Sequence, residues 1–485
     1  MNLDETSTIS LTTLRGLFQK AQDVIFFPFE IHGVSFTFIF CEDMVDNQIL
    51  FSYILPSMEK FIEKAEGGLN EEQLLRMPFP ELKKLEDKET IILEVFSGKL
   101  AIFLNESQLL LTCNIAKKPN RQPEETKMEI AIKGPRDNFI EDLATNIALI
   151  RKRLPTNSLC VEKISVGARS KTTVAVLYMQ DIANTKIVQE IKKQIEKIDT
   201  DVVLNGDSLV EHIDKKRWLL PWTNDTGRPD FAIHSLVRGR VVILIDGVSY
   251  AIITPVNFLF LLKTGEDFEY PILFSAFERL LRIVGIIIGI ILPAFWLALT
   301  TFHQNQLPLQ LLATVVVSNR GLPFPAALEM IILLIMFELF REAAMRFPTA
   351  IGSTISVVGG LIIGDAAIRA GITSPSMLVI IALSFVATFT IANQSLLTLI
   401  SIIRFIFIVV TAFFGLFGFF ICLFLLLLYM ANMRVFGVPY LNFSAELSWS
   451  SIGKTLMRLT PNQYKRRPGM LKTKDDTRTS NEGLQ

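Results

Sequence analysis

Cysteine is scarce in this 485-residue chain: Cys41, Cys113, Cys160 and Cys422 lie far apart, and none belongs to a CxxC pair or a Cys/His cluster. Neither a disulfide framework nor a zinc site is indicated. Charge of one sign is also lacking, with 48 Lys and Arg against 48 Asp and Glu. No basic run with interleaved aromatics precedes the C-terminal tail, so no nucleic-acid partner is expected. The opening MNLDETSTIS is polar and acidic, where a signal peptide needs a basic start and an apolar stretch. The N-terminal region is therefore expected to stay in the cytoplasm. The most informative shortage is local, because only nine Lys, Arg, Asp or Glu residues fall between Ile283 and Met430. The chain reads as an α/β soluble region of two related subdomains followed by an all-α multi-pass transmembrane domain.

The duplication rests on two matching spacings. SFTFIFCEDMVDNQIL from Ser35 is echoed by VAVLYMQDIANTKIV from Val174, with Asp43 aligned to Asp181 at an offset of 138. FSGKLAIFLNESQLLL from Phe96 is echoed by VRGRVVILIDGVSYAII from Val237, an offset of 141. Each copy of this second pair has a Gly, a basic residue, an apolar strand, a polar turn and a second strand. Asp246-Gly247 in the second copy is a two-residue hairpin signal, since both central positions want positive φ. Asp43 and Asp181 suggest paired carboxylates, but Asp after a strand is more often a turn or N-cap residue, and that structural reading is taken here. Between the copies, KGPRDNFIEDLATNIALIRKRL, from Lys133 to Leu154, reads as a basic connector whose helix is solvated. The expected divisions are subdomain 1 at 1–132, a helical connector at 133–158, subdomain 2 at 159–268, transmembrane helices at 269–434 and a basic, partly disordered tail at 435–485.

Ile283 to Phe302 carries no charge over about 20 residues, enough to cross a hydrocarbon core of roughly 30 Å. Arg279 and Arg282 precede it and place its N-terminal side in the cytoplasm. Further apolar stretches run Pro325 to Phe340, Ile351 to Ala370, Ser376 to Ile391 and Ile402 to Met430, the last long enough to tilt or break. With the basic tail also inside, four to six spans are expected, the weakly apolar Leu307 to Val317 or a re-entrant stretch restoring even parity.

Glu329 and Glu338 are costly among lipid, at roughly 2 to 3 kcal/mol each near a helix centre. Nine residues separate them by about 180° on a straight helix, so one lumen cannot easily receive both. Glu338, Arg341, Glu342 and Arg346 read as a charge cluster at the membrane boundary, with Glu342 and Arg346 spaced for an i,i+4 pair. Glu329, after Pro323 and Pro325, suits a helix start. Gly352, Ser356, Gly360 and Gly364 recur every four residues as a small-residue ridge for close helix packing. Gly359-Gly360 also weakens the helix. Asp365 has Arg369 four residues on, which reads as an ion pair closing that packing. A sharper reading makes Gly359, Gly360, Ile362, Ile363 and Asp365 a pore or gate on a shared oligomer axis. GGLIIGD lacks the GK[ST] ending of a phosphate loop.

GPRDNFIEDLATNIALIRKRL, GRPD at Gly227 to Asp230, LPFPAALE, ELFREAAMRFP, IGSTISVVGGLIIGDAA and FGVPY near Phe436 together resemble the A subunit of GerA-type spore germinant receptors. The motifs run in order from about Gly134 to Tyr440. The resemblance implies a nutrient-triggered complex of the spore inner membrane with a permease-like B subunit, a lipoprotein C subunit and an A subunit that forms an oligomeric ion channel. It carries over Gly134, Pro135, Arg136 and Phe139 as an inter-subdomain connector motif, Arg341 and Glu342 from the REA motif, and Gly359, Gly360 and Gly364 from the glycine run. Many members have Gln where Asp365 stands, Gly where Ala344 stands and Pro where Ala392 stands, which favours the glycine ridge and Ile362 over an Asp ring. The expected protein is a non-enzymatic, cofactor-free homo-oligomer that contacts membrane lipid. The alternatives are a secondary transporter, against which counts the lack of an inverted repeat, and a non-conducting scaffold. A membrane enzyme would have to use groups such as Glu329, Asp365 and His303 without a nucleophile elbow or HExxH spacing.

Overall fold

Alternation along the strands builds the first half of the protein. In the computed structural model, which describes residues 9–64, 71–117, 135, 137–213, 219–346, 364–391, 393–441, 467 and 469–477, five strands form an antiparallel sheet. They are β1 (Val24–Ile31), β2 (Val34–Cys41), β3 (Lys83–Lys84), β4 (Lys99–Leu104) and β5 (Leu109–Asn114), ordered β1-β2-β4-β5-β3. The side-chain period of two sends Phe36, Phe38, Leu100, Ile102 and Leu111 to one face and Ile39, Cys41, Ala101, Phe103 and Leu110 to the other. Helices cover both faces. Besides α1 (Leu11–Leu17), α2 (Leu55–Lys64) and α3 (Lys88–Phe96), the connector contributes α4 (Leu143–Arg151). Ile54, Met58 and Ile62 pack on the first face, whereas Leu14, Ile91, Val95 and Ala148 pack on the second.

The second sheet repeats the first in its order. β6 (Leu159–Val166), β7 (Thr172–Met179), β8 (Asn224–Thr226), β9 (Val241–Ile245) and β10 (Ala251–Thr254) run β6-β7-β9-β10-β8. Helix α5 (Thr185–Glu196) buries Ile187, Ile191 and Ile195 at helical spacing, and α6 (Pro229–Leu236) precedes β9 as α3 precedes β4. The glycine of each FSGK/VRGR segment has positive φ, +89° at Gly98 and +87° at Gly239. Two related α/β subdomains are present, as the paired spacings predict.

Two local expectations are corrected. The connector helix is not solvated: Leu143, Asn146, Ile147, Ala148, Leu149, Ile150 and Arg151 are all buried, because α4 supplies core to subdomain 1 and packs beside α6. Asp246-Gly247 does not make a two-residue turn either. The strands stop at Ile245 and resume at Ala251, only Gly247 takes positive φ, and its N–H donates to Glu141 O at 2.8 Å, so the connector reshapes that loop. Within the range read as tail, the Lys474 N–H donates to Ile182 O at 2.9 Å and Arg467 Nε to Val237 O at 3.0 Å, both on subdomain 2.

The chain divides into two units, Met1–Lys216 with Thr223–Pro255 and Tyr464–Gln485, and Arg217–Trp222 with Val256–Gln463. The second unit is helical: α7 (Ile272–Thr301), α8 (Leu309–Asn319), α9 (Ala326–Arg346), α10 (Pro375–Thr388) and α11 (Gln394–Asn432). Among the described residues, α7 and α11 are long and apolar enough to cross a membrane, with mean hydropathy 2.5 and 2.7. The weakly apolar Leu307 to Val317 segment supplies α8. The long stretch does break, at Gly415 (φ +60°, ψ −142°). A Cβ there would lie 2.9 Å from the Phe302 ring, so both backbone and space require glycine.

Candidate functional site

Close approach of helices prepares the site in the second unit. Gly285 and Gly289, one turn apart on α7, face α10: a Cβ would come within 2.6 Å of Ala387 O at the first and 2.7 Å of Thr388 Cγ2 at the second. This is a GxxxG contact, legible in IVGIIIGII as a second small-residue pair besides the ridge ending at Gly364. At that spacing Ser384 Oγ of α10 donates to Gly289 O at 2.9 Å, and its oxygen accepts from Arg404 Nη1 of α11 at 3.1 Å.

Arg404 organises the rest. Its side chain has no exposed surface, its guanidinium lies 4.1 Å from the Phe385 ring centroid, and Nη2 reaches Glu338 of α9 at 2.7 Å. Glu338 also pairs with Arg341 at 2.6 Å, and Arg341 donates to Ser401 Oγ at 2.7 Å. One node of polar groups thus ties α7, α9, α10 and α11. It holds two cations against one carboxylate, and among the described residues the Nε atoms of Arg341 and Arg404 have no acceptor. Arg404 was missed in the sequence because its partner lies 66 residues earlier; its signal was simply a cation inside an uncharged run.

The other predicted charges go elsewhere. Glu329 is 2% exposed, and its Oε1 accepts from Ser374 N at 2.6 Å, Ser374 Oγ at 2.9 Å and Thr373 Oγ1 at 2.7 Å, at the start of α10. The carboxylate therefore meets the positive end of that helix as well as the first turn of its own. Glu342–Arg346 at 2.6 Å and Asp365–Arg369 at 2.8 Å are exposed i,i+4 pairs. Gly364 packs on Leu378. Gly359, Gly360, Ile362 and Ile363 lie outside the described residues. A second buried charge group, Asp267 with Arg279 at 3.1 Å and Arg282 at 2.8 Å, holds the start of α7, so these two arginines are locked in place rather than free at a surface.

In the first unit the connector motif meets GRPD. The Phe139 N–H donates to Gly227 O at 2.9 Å, Asn146 clamps Ile140 through both its N–H and its C=O, and Arg228 chelates Asp230 at 3.1 and 2.8 Å. Phe139 is buried and Pro135 half-buried, whereas Gly134 and Arg136 lie outside the described residues. Arg151 of α4 makes a two-pronged pair with Asp23 at 2.7 and 2.9 Å and stacks 4.1 Å from the Phe96 centroid. Asp43 and Asp181 are not brought into a matched pair. Asp181 is exposed, whereas burial, aided by the nearby Asp23, Glu42 and Asp142 and opposed by Lys163, pushes Asp43 up to about 7. The four cysteines are free and buried. Among the described residues no group of three or more His, Cys, Asp or Glu is placed to hold a metal ion.

Known proteins are similar to this chain over most of its length. Spore germination protein XA of Bacillus anthracis is 40% identical over 91% of this chain and 90% of its own length. Spore germination protein KA of Bacillus subtilis is 31% identical over 92% and 82%. The crystal structure of the N-terminal domain of the A subunit of the Bacillus megaterium spore germinant receptor GerK3 aligns with 52% of this chain and 98% of that one, at 23% identity and a TM-score of 0.41. The profile described as Bacillus/Clostridium GerA spore germination protein matches residues 12–470. The chain is a member of the GerA family of spore germination proteins.

Proposed function

We propose that this chain is the A subunit of a nutrient germinant receptor, a multi-pass protein of the spore inner membrane that oligomerises into an ion-release channel and so starts germination. Its soluble subdomains lie in the cytoplasm, and it works beside a permease-like B subunit and a lipoprotein C subunit. The reading is supported first by family membership. Within the molecule one observation carries it: the Glu338–Arg341–Arg404 node joins four helices through charges that an inert apolar anchor does not need. Side chains arranged around two cations and one carboxylate can rearrange between discrete pairings, which is what a gate requires.

The test is potassium release from spores after addition of a nutrient mixture. Arg404→Leu, Ile362→Ala and Gly360→Leu are each expected to change the rate or threshold of release at normal protein amounts. Unchanged release in all three would sink the channel assignment while leaving the family untouched. The break of α11 at Gly415 favours a second reading, a transporter with a discontinuous helix. Uptake of labelled nutrient into vesicles containing the protein would support that reading over the channel.

A further inference from the structure

A cavity of about 260 Å³ opens in the first unit where three stretches of chain converge. One wall is the loop after α1, with Gln19, Lys20 and Gln22. The second is subdomain 2, with Glu162 on β6, Tyr178 on β7 and Lys192 on α5. The third is Lys474, whose Nζ donates to Gln180 O at 3.1 Å. Three lysines face one carboxylate among the lining residues, and the remaining polar groups are amides and hydroxyls of Gln19, Gln22, Gln180, Gln189, Thr185 and Tyr178.

The carboxylate is already taken. Tyr178 Oη donates to Glu162 Oε1 at 2.5 Å, and Lys192 Nζ bonds the other oxygen. Burial works against ionisation of Glu162, but these two bonds outweigh it and hold its pKa below the usual range, so it stays an anion. Lys192 is paired with it and Lys20 lies near it, yet the lining still carries three lysines against this one carboxylate, an excess of positive charge. Concave, donor-rich and cationic, the cavity suits an oxyanion. Its volume lies just under the roughly 300 Å³ at which drug-sized pockets begin, which suits a small ligand.

We propose that this cavity binds a small oxyanion, a carboxylate or phosphate compound of a few heavy atoms, held by Lys20, Lys192 and Lys474. The occupant bridges both subdomains and the 469–477 segment, so binding fastens that segment to the sheet. This goes beyond the receptor assignment and does not depend on it.

The experiment uses the full-length protein in detergent at fixed ionic strength, with succinate and inorganic phosphate titrated separately and heats of binding recorded. At least one probe is expected to saturate, and the winning arm identifies the anion as carboxylate or phosphate. The K20Q/K474Q double variant is expected to weaken that binding at least about a hundredfold, the loss of two charge-assisted contacts. Both lysines are exposed, so the fold is retained. Lys60→Gln, an exposed lysine on α2 outside the cavity lining, is expected to bind as the parent does. Amide exchange in 469–477 should slow when the probe is present. No saturable heat with either probe, or equal affinity in K20Q/K474Q and the parent, would overturn the assignment.

Discussion

Two arginines, Arg151 in the α/β unit and Arg404 in the helical unit, have no exposed side-chain surface, and each stacks on a phenylalanine at 4.1 Å. Their partners separate them. Arg151 pairs with Asp23, also fully buried, through two hydrogen bonds, and Cys41 Sγ donates to the same carboxylate at 3.6 Å. Arg404 shares Glu338 with Arg341, and Glu338 keeps 27% of its side chain exposed. A closed one-to-one pair has a single low-energy arrangement and therefore fixes structure. Two cations on one part-exposed carboxylate have more than one, so the same residue type fixes structure in one unit and, in the gate proposed above, can change partners in the other.

The largest effect should come from the closed pair. Asp23→Asn leaves Arg151 buried without a counter-ion, a loss of about 3 to 5 kcal/mol. The protein should then melt far lower in thermal unfolding and accumulate poorly, and a wild-type melting temperature would erase the contrast between the two arginines. Glu338→Gln should be milder for stability, roughly 1.5 to 3 kcal/mol, since water can reach part of the site. Its effect should appear chiefly in potassium release rather than in melting.

Acidity sharpens the contrast within the first unit. Asp43, raised to about 7 in the folded protein, has an ordinary value near 3.8 when unfolded. The folded state therefore binds the proton more tightly, and this contribution to stability is complete below about pH 4 and is lost as pH rises through about 7. Melting curves of the parent between pH 4.5 and 8 should show that decline, and Asp43→Asn should flatten it and be relatively more stable at pH 8. An identical pH slope in the variant would count against the buried site. The smallest change belongs to the exposed pair Arg169–Asp201, 3.5 Å apart with both side chains mostly in solvent. Arg169→Ala should shift stability by less than about 1 kcal/mol in the same melts.

The doubled sheet was readable because strand alternation is local and the copies keep their spacing. Burial of α4 was not, since Arg151 looks like an ordinary basic helix end until Asp23, 128 residues earlier, folds against it. The same holds for Arg404 and Glu338. The sequence shows each charge and its cost but not which distant charge answers it. Glu342–Arg346 and Asp365–Arg369 were legible because helix spacing alone sets them. The break in α11 was foreshadowed only by length, and its place at Gly415 was set by the approach of Phe302, a tertiary contact that no local pattern carries.

Exchanging the partners tests most directly whether the node acts as a switchable pairing of charges. In spores carrying Glu338→Arg, Arg404→Glu or both, potassium release after nutrient addition would be timed alongside the amount of protein in the membrane. Each single exchange is expected to abolish release, and the double exchange to restore a measurable part of it. Wild-type release from either single exchange, at normal protein amounts, would contradict a switchable pairing.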